Sequence, residues 1–435
     1  MTLNRRRFIE SVALSTGSLA LACAPGAAGN GSTTPSNEDG PTEIPASIRA
    51  LKPMTDGIVP ISDHERQQRI GKAQRLMAEN KMDAIFMEGA TSCFYYTGMH
   101  WGESERTFGV VIPAKGPLAY VCPGFEEDRA REILKPAFGD EVRVWQEDES
   151  PFEVIAGIVR DRGVRHHRIG VEERVRVFIF EGIRRAAAGM EIVEATPVTA
   201  GCRMLKSKAE IALMQRANDA TIAGYKAGLT TLREGMPQDE LQRNITAAFT
   251  ALGFAGYVSV QFGKYTAMPH GSVTPQRLKE GDVVMIDDGC VCEGYVSDIT
   301  RTVVFGKATA RQTDVWNTEL AAQTAAFNAI RIGAPCESVD AAARAVVDRA
   351  GFGPGYKVPG LPHRTGHGMG LDGHEWTNFV KGNQTPIEPG MCFSDEPMII
   401  IPGEFGIRLE DDVYIGEDGP HFFSKQSLAI DQPFG

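Results

Sequence analysis

Asp287, Asp298, His367, Glu396 and Glu410 are the residues of this chain whose types and spacing most directly suggest chemistry. Four are carboxylates and one is an imidazole. The carboxylates form two pairs, and each pair falls in a segment that reads as a β-hairpin. The runs 283–287 and 294–300, folded about 292–294, put Asp287 roughly opposite Asp298. The runs 391–401 and 405–415 flank Pro402-Gly403 and put Glu396 near Glu410. Directly opposed residues hold their Cβ atoms about 4.5–5.5 Å apart, and like charges there repel. Two acid pairs built into strands therefore ask for a cation. The pairing is an expectation about register, because a turn shifted by one residue moves a partner to the other face. Taken singly, each acid is better read as a solvated strand residue, since Asp and Glu are mostly exposed. Taken together, beside apolar runs and with His367 in a Gly366-His367-Gly368 loop, they read as a shared metal site.

Three stretches carry a resemblance: "VVMIDDGCVCEGYVSDITRT", "HRTGHGMGLDGHE" and "FSDEPMIIIPGEFGIRLEDDV". Their order and spacing resemble the signature blocks of the pita-bread metallopeptidases, in particular the Xaa-Pro branch of prolidase and aminopeptidase P. The resemblance covers 204–435 as the catalytic domain. Residues 61–203 more weakly resemble the N-terminal domain of creatinase and prolidase. The fold it implies is α+β: a duplicated helix pair with a curved antiparallel sheet, preceded by a smaller α/β layered domain.

The activity implied is hydrolysis of Xaa-Pro peptide bonds by a metal-bridged hydroxide attacking the scissile carbonyl, with a dipeptidase preferred. Aminopeptidase P activity, or a creatinase-like attack on another small amide, are the alternatives. Four carboxylates and one imidazole, with no thiolate, favour two divalent ions per chain, Mn²⁺ first and Co²⁺ or Zn²⁺ next. By the resemblance Glu396 is both a ligand and the proton shuttle. His270 and His374 match histidines that contact the substrate at the reacting carbonyl or at its proline end. His363 matches a further substrate histidine. Arg408 matches an arginine that orients the acids or binds the substrate carboxylate, and a plain salt bridge fits it equally. The chain departs from the family where many members carry a pocket-lining tyrosine: Ile400 stands there. Asp288, beside Asp287, is expected on the opposite face of its strand. The implied partners are small peptides with proline second, in a homodimer.

Around these residues the chain supplies positioning elements. At 435 residues it exceeds what one core supports, so two domains are expected. Helices near 65–80, 126–135, 152–161 and 178–188 alternate with strands near 83–87, 142–145, 168–172 and 191–194 and a hairpin over 108–122, which makes an α/β layer. Helices over 208–232 and 238–252 precede strands, and helices near 311–331 and 337–350 precede strands again. A net charge of −11 without a basic stripe argues against nucleic acid as a partner.

The first thirty residues read as a targeting segment. Asn4-Arg5-Arg6-Arg7-Phe8-Ile9 resembles a twin-arginine export motif, which implies a periplasmic enzyme. Ala20-Leu21-Ala22-Cys23 resembles a lipoprotein processing site, so Cys23 is the one expected membrane anchor, and ordinary cleavage after Ala28 is the other reading. Residues 31–60 read as a flexible linker. Seven cysteines lie beyond Cys23 with no regular spacing, which is not a disulfide framework. Cys290 and Cys292 read as buried thiols or, less readily, as a metal pair.

Overall fold

Three strands in the first half of the chain, Ala84–Glu88, Gly109–Pro113 and Ala119–Pro123, are buried along their whole length in the computed structural model. Strands covered on both faces read as unbroken apolar runs, and their side chains still alternate between the two sides. Ile85, Met87, Val110 and Ile112 cluster with Ile70, Ala73 and Met77 of helix Asp63–Glu79. Ala84, Phe86, Val111 and Val121 cluster with Ile155 and Val159 of helix Pro151–Asp161 and with Ile183 of helix Val177–Ala186. Six strands form this mixed sheet, in the order Glu141–Trp145, Ala119–Pro123, Gly109–Pro113, Ala84–Glu88, Arg168–Val171, Glu191–Glu194.

The second half repeats one pattern. Helices Lys208–Leu229 and Gln238–Leu252 pack on the antiparallel strands Ala255–Phe262 and Val283–Cys292. Helices Ala310–Ala329 and Glu337–Arg349 pack on a five-stranded sheet that contains Gly366–Gly368, Cys392–Asp395 and Asp411–Gly416. The first helix of each pair starts with a capping box, Ser207 with Glu210 and Thr309 with Gln312. The second helix of the first pair stops at Gly253, whose φ of +91° only glycine adopts without strain. This is the duplicated α+β architecture expected.

The structure describes residues 43–435, and they include one compact unit from Ile44 to Gly435. The export segment, Cys23 and the first part of the expected linker lie outside the described residues. The last part of that linker is packed rather than flexible. Ile48, on helix Ala46–Arg49, is 1% exposed and sits against Ala227 and Ala248. Leu51, Met54 and Ile58 lie on the first catalytic core, and the Met54 N–H donates to the Leu252 carbonyl at 2.8 Å. Apolar anchors at intervals among prolines and glycines are enough to hold such a segment down.

Two helices, Thr91–Thr97 and Thr196–Arg203, were not foreseen. The first is built of Thr, Ser, Cys, Phe and Tyr, poor helix formers, and five of its residues are buried, so packing overrides propensity. The seven cysteines of the described residues are free and buried. Burial pushes the Cys290 and Cys292 thiols up to about 12 and about 11, so neither is a thiolate near neutrality. Among the described residues no helix is long and apolar enough to cross a membrane.

Candidate metal centre

The second hairpin has the expected register. Asp395 pairs with Asp411 on one side and Met398 with Arg408 on the other, and both count to Glu396 opposite Glu410. The first hairpin differs by a step of two. The bridges Val291 to Val296 and Ile286 to Arg301 share one register, which sets Thr300 opposite Asp287 and Gly289 opposite Asp298. The turn is Glu293-Gly294, one residue tighter than expected. Asp287 and Asp298 are therefore diagonal neighbours on the same face, still close enough to share an ion.

All nine predicted residues line one cavity of about 340 Å³: His270, Asp287, Asp298, His363, His367, His374, Glu396, Arg408 and Glu410. Within it, donor atoms of Asp287, Asp298 and Glu410 lie within 4.8 Å of one another, and so do those of His367, Glu396 and Glu410. Two donor triads sharing Glu410 could hold two cations side by side. His367 Nε2 is 3.2 Å from Glu396 Oε1 and 3.7 Å from Asp298 Oδ2. His367 Nδ1 donates to the Gly368 carbonyl at 3.2 Å, which leaves Nε2 unprotonated, as a metal ligand must be. Burial and then His374 hold the imidazole well below its usual pKa, so it stays neutral.

The carboxylates show the corresponding strain of unneutralised charge. Burial, and then the other acids of the site, push Asp298 and Glu410 well above the ordinary carboxylate range. Burial pushes Glu396 up to about 7. Groups that burial and like charge both disfavour are the chemistry a divalent pair relieves, so the residues present fit two such ions.

Arg408 is buried among them. It pairs with Asp287, and its guanidinium lies 3.7 Å from Glu396 and 3.8 Å from Glu410. Every one of these partners is an acid of the site, which favours the orienting role over capture of a substrate carboxylate. Thr300 joins the acids too: its hydroxyl lies 2.6 Å from Asp287 Oδ1 and 2.5 Å from Glu410 Oε2 and accepts from Arg408 Nε at 2.9 Å.

Gly366-His367-Gly368 is a strand and not a loop. A Cβ on Gly366 would meet the Ser394 carbonyl at 2.1 Å, and one on Gly368 the Trp376 carbonyl at 2.5 Å. The glycines thus admit the two neighbouring strands, rather than a ligand, up against His367. Asp288 also departs from expectation. Its φ of +83° turns the side chain, and it lines the same cavity as Asp287. Burial and then Asp287 raise it to about 7. A strand alternation rule cannot foresee a single left-handed residue.

Two further cavities adjoin the centre. One, of about 810 Å³, shares Pro269, His270 and His363 with it and is lined by apolar residues that include Ala267, Met268, Val358 and Ile400. The other, of about 270 Å³, shares Arg364 and His374 and opens between the two domains. The segment bearing His374 is held there by charge. Arg203 Nη2 donates to Asp372 Oδ2 at 2.6 Å and to Glu375 Oε1 at 2.5 Å. Lys206 Nζ reaches Glu375 Oε2 at 3.0 Å, and the Thr91 hydroxyl donates to Asp372 Oδ1 at 2.8 Å. Burial would raise Glu375, yet Lys206 and Arg203 hold it down to about 2.

Comparison with known proteins agrees with this geometry. Residues 212–417 match the metallopeptidase family M24, and residues 69–205 match the creatinase/prolidase N-terminal domain. A putative dipeptidase of Bacillus subtilis is 31% identical over 355 residues, which is 81% of this chain and 96% of that protein. The crystal structure of the dipeptidase PepE from Mycobacterium ulcerans superposes with a TM-score of 0.78 at 30% identity, covering 84% of this chain and 97% of that one. A recombinant prolidase from Thermococcus sibiricus does so at 0.75 and 28%, covering 83% and 97%. The paired donor triads thus stand on a fold and a sequence shared along nearly the whole described chain, and the protein belongs to the metallopeptidase family M24, a family of hydrolases.

Proposed function

We propose that this metallopeptidase is an Xaa-Pro dipeptidase working with two divalent ions, Mn²⁺ in the first place. The observation that carries the reading is one cavity with two donor triads sharing Glu410 beside an apolar annex of a size and lining that admit a proline ring. The names of the similar proteins, dipeptidase and prolidase, support it. Asp287, Asp298, His367, Glu396 and Glu410 would hold the ions. Bound there, such a pair supplies an activated water and polarises a carbonyl.

The chain's own residues do the rest. The nitrogen of an X–Pro bond carries no N–H, so it must gain a proton as the bond to the carbonyl carbon breaks. We assign Glu396 to hold that proton and deliver it to the departing nitrogen. His270 and His374, which both line the cavity, orient the peptide. Arg408 and Thr300 keep the acids in place. Ile400, in the annex, offers contact without a hydroxyl.

Incubation of metal-loaded protein with Ala-Pro and with Ala-Pro-Ala tests this reading. Release of proline from Ala-Pro, and no cleavage of the tripeptide, is expected. Cleavage of both would make the enzyme an aminopeptidase of the P type, and cleavage of neither would refute the assignment.

We further propose that the enzyme works as a homodimer in the periplasm, exported by the twin-arginine pathway, with Cys23 as a lipid anchor. The export and anchor readings rest on residues 4–9 and 20–23, which lie outside the described residues, and the homodimer on the resemblance to prolidase.

A further inference from the structure

Three histidines of the cavity have one ring nitrogen committed to a protein partner, and the partner decides where the proton sits. A guanidinium has only donors, so whatever it hydrogen-bonds must accept; a backbone carbonyl only accepts, so its partner must donate. Arg364 supplies one of each. Its Nη2 donates to His374 Nδ1 at 3.0 Å. Its carbonyl accepts from His363 Nδ1 at 2.7 Å. In a neutral imidazole the two nitrogens have opposite roles. His374 then carries its proton on Nε2, and His363 carries a bare lone pair on Nε2. That His363 nitrogen is buried and has no protein partner. Both rings and Arg364 line the metal cavity.

We infer that Arg364 is a positioning residue that fixes the two histidines flanking the metal centre in opposite tautomers, His374 as a donor at Nε2 and His363 as an acceptor at Nε2.

Two consequences follow for the site. His374 lies near enough to Asp298 and His367 to complete a third donor triad. A protonated Nε2 has no lone pair to give a cation, so with Nδ1 taken by Arg364 this triad is not a metal site. Its N–H is instead free for the carbonyl oxygen of a substrate, which can only accept. His363 has no N–H to offer there, because its own is spent on Arg364. The two matched histidines are therefore not equivalent: one polarises the reacting carbonyl and the other does not. This division of labour rests on the peptidase reading, whereas the tautomers do not depend on it.

The test has a spectroscopic arm and a kinetic arm. Protein labelled with ¹⁵N-histidine and loaded with zinc gives two-bond ¹H–¹⁵N correlations that report which nitrogen of each ring is protonated, with peaks assigned from His363→Asn and His374→Asn. The wild type is expected to show Nε2–H for His374 and Nδ1–H for His363. Arg364→Met should turn the His374 pattern into an average of both tautomers, and Arg364→Lys, which also only donates, should restore it at least in part. In the kinetic arm Arg364→Met should lower kcat about tenfold with little change in KM, as loss of orientation does. In a His374→Ala background the same substitution should cost nothing further. An Nδ1–H or doubly protonated His374 in the wild type overturns the inference. So does an Arg364→Met effect that persists undiminished without His374, since Arg364 would then act directly on substrate. A wild type that cleaves no Xaa-Pro dipeptide would sink the proposed substrate but leave the spectroscopic result standing.

Discussion

Asp412 accepts the backbone N–H of Asp298 at 3.0 Å, so a carboxylate on one hairpin fixes the main chain of the other. The same oxygen accepts from Asn218 Nδ2 at 2.9 Å, which ties the pair to helix Lys208–Leu229. The two halves of the catalytic domain are thus pinned together at a residue that would ligate metal. Asp412→Ala should weaken metal binding about 10–100-fold while the fold persists, as losses of such supporting contacts do. Competition against a calibrated chelator would measure it, and wild-type affinity in the variant would show that the bond positions nothing.

Glu396→Gln should remove a ligand charge and the proposed proton carrier at once. Turnover should fall at least about 10²-fold, with circular dichroism and thermal midpoint near wild type. His374→Ala and His270→Ala should each lower kcat by about one to three orders of magnitude. Unchanged rates in both would make the histidines mere braces.

Metal uptake should release protons. In the metal-free fold burial raises the Glu396 carboxyl to about 7, above its ordinary 4.5, and Asp298 and Glu410 are raised well above the carboxylate range. His367 is already neutral and has none to give. Binding therefore displaces carboxyl protons, and affinity rises with pH through about 7. Titration calorimetry at pH 6.5 in buffers of different ionisation enthalpy should show at least about one proton released per chain, with two ions bound. Proton uptake, or a stoichiometry near zero, contradicts the site as drawn.

Arg203→Ala should leave buried Glu375 with Lys206 as its one remaining cation, beside the backbone N–H groups of Leu371 and Asp372. Removing one partner of a buried pair costs about 3 kcal/mol or more. The depressed Glu375 contributes stability that is present above its unfolded range and lost as pH falls toward about 2, so the variant's deficit should be seen at pH 7 and shrink in acid. Urea unfolding at the two pH values checks this. Activity should drop with stability, because the neighbouring residue is His374.

Export should depend on the paired arginines. Arg5→Lys with Arg6→Lys should retain the precursor in the cytoplasm, and Cys23→Ser should change membrane association but not peptidase activity. Wild-type protein recovered wholly from the cytoplasm, with its first thirty residues intact, would refute both readings.

Most of the architecture was legible because its signals are periodic. The alternating strands of the first domain and the four long helices of the second follow from pattern. The donor set was legible because acids inside apolar strands are costly without a partner. What escaped was set by contacts between distant segments. Helix Thr91–Thr97 forms from poor helix formers because it is buried. The tight Glu293-Gly294 turn shifted the Asp287 register, and one positive φ brought Asp288 inward. Arg364 carries no signal of its own in the sequence, since hydrogen-bond direction is not written in spacing. The segment 44–60 looked like linker by composition, and only its apolar anchors said otherwise.

The charged clasp between Arg203 and the segment 372–375 also bears on how such a chain can diversify. The residues that chemistry needs lie in the second domain, yet the loop carrying His374 takes part of its shape from an arginine contributed at the end of the first. Recombination that grafted a different leading domain onto this catalytic half would have to bring an arginine to the same place or lose the loop. The two domains are therefore expected to have descended together, with change at Arg203 tolerated only alongside change at Asp372 and Glu375.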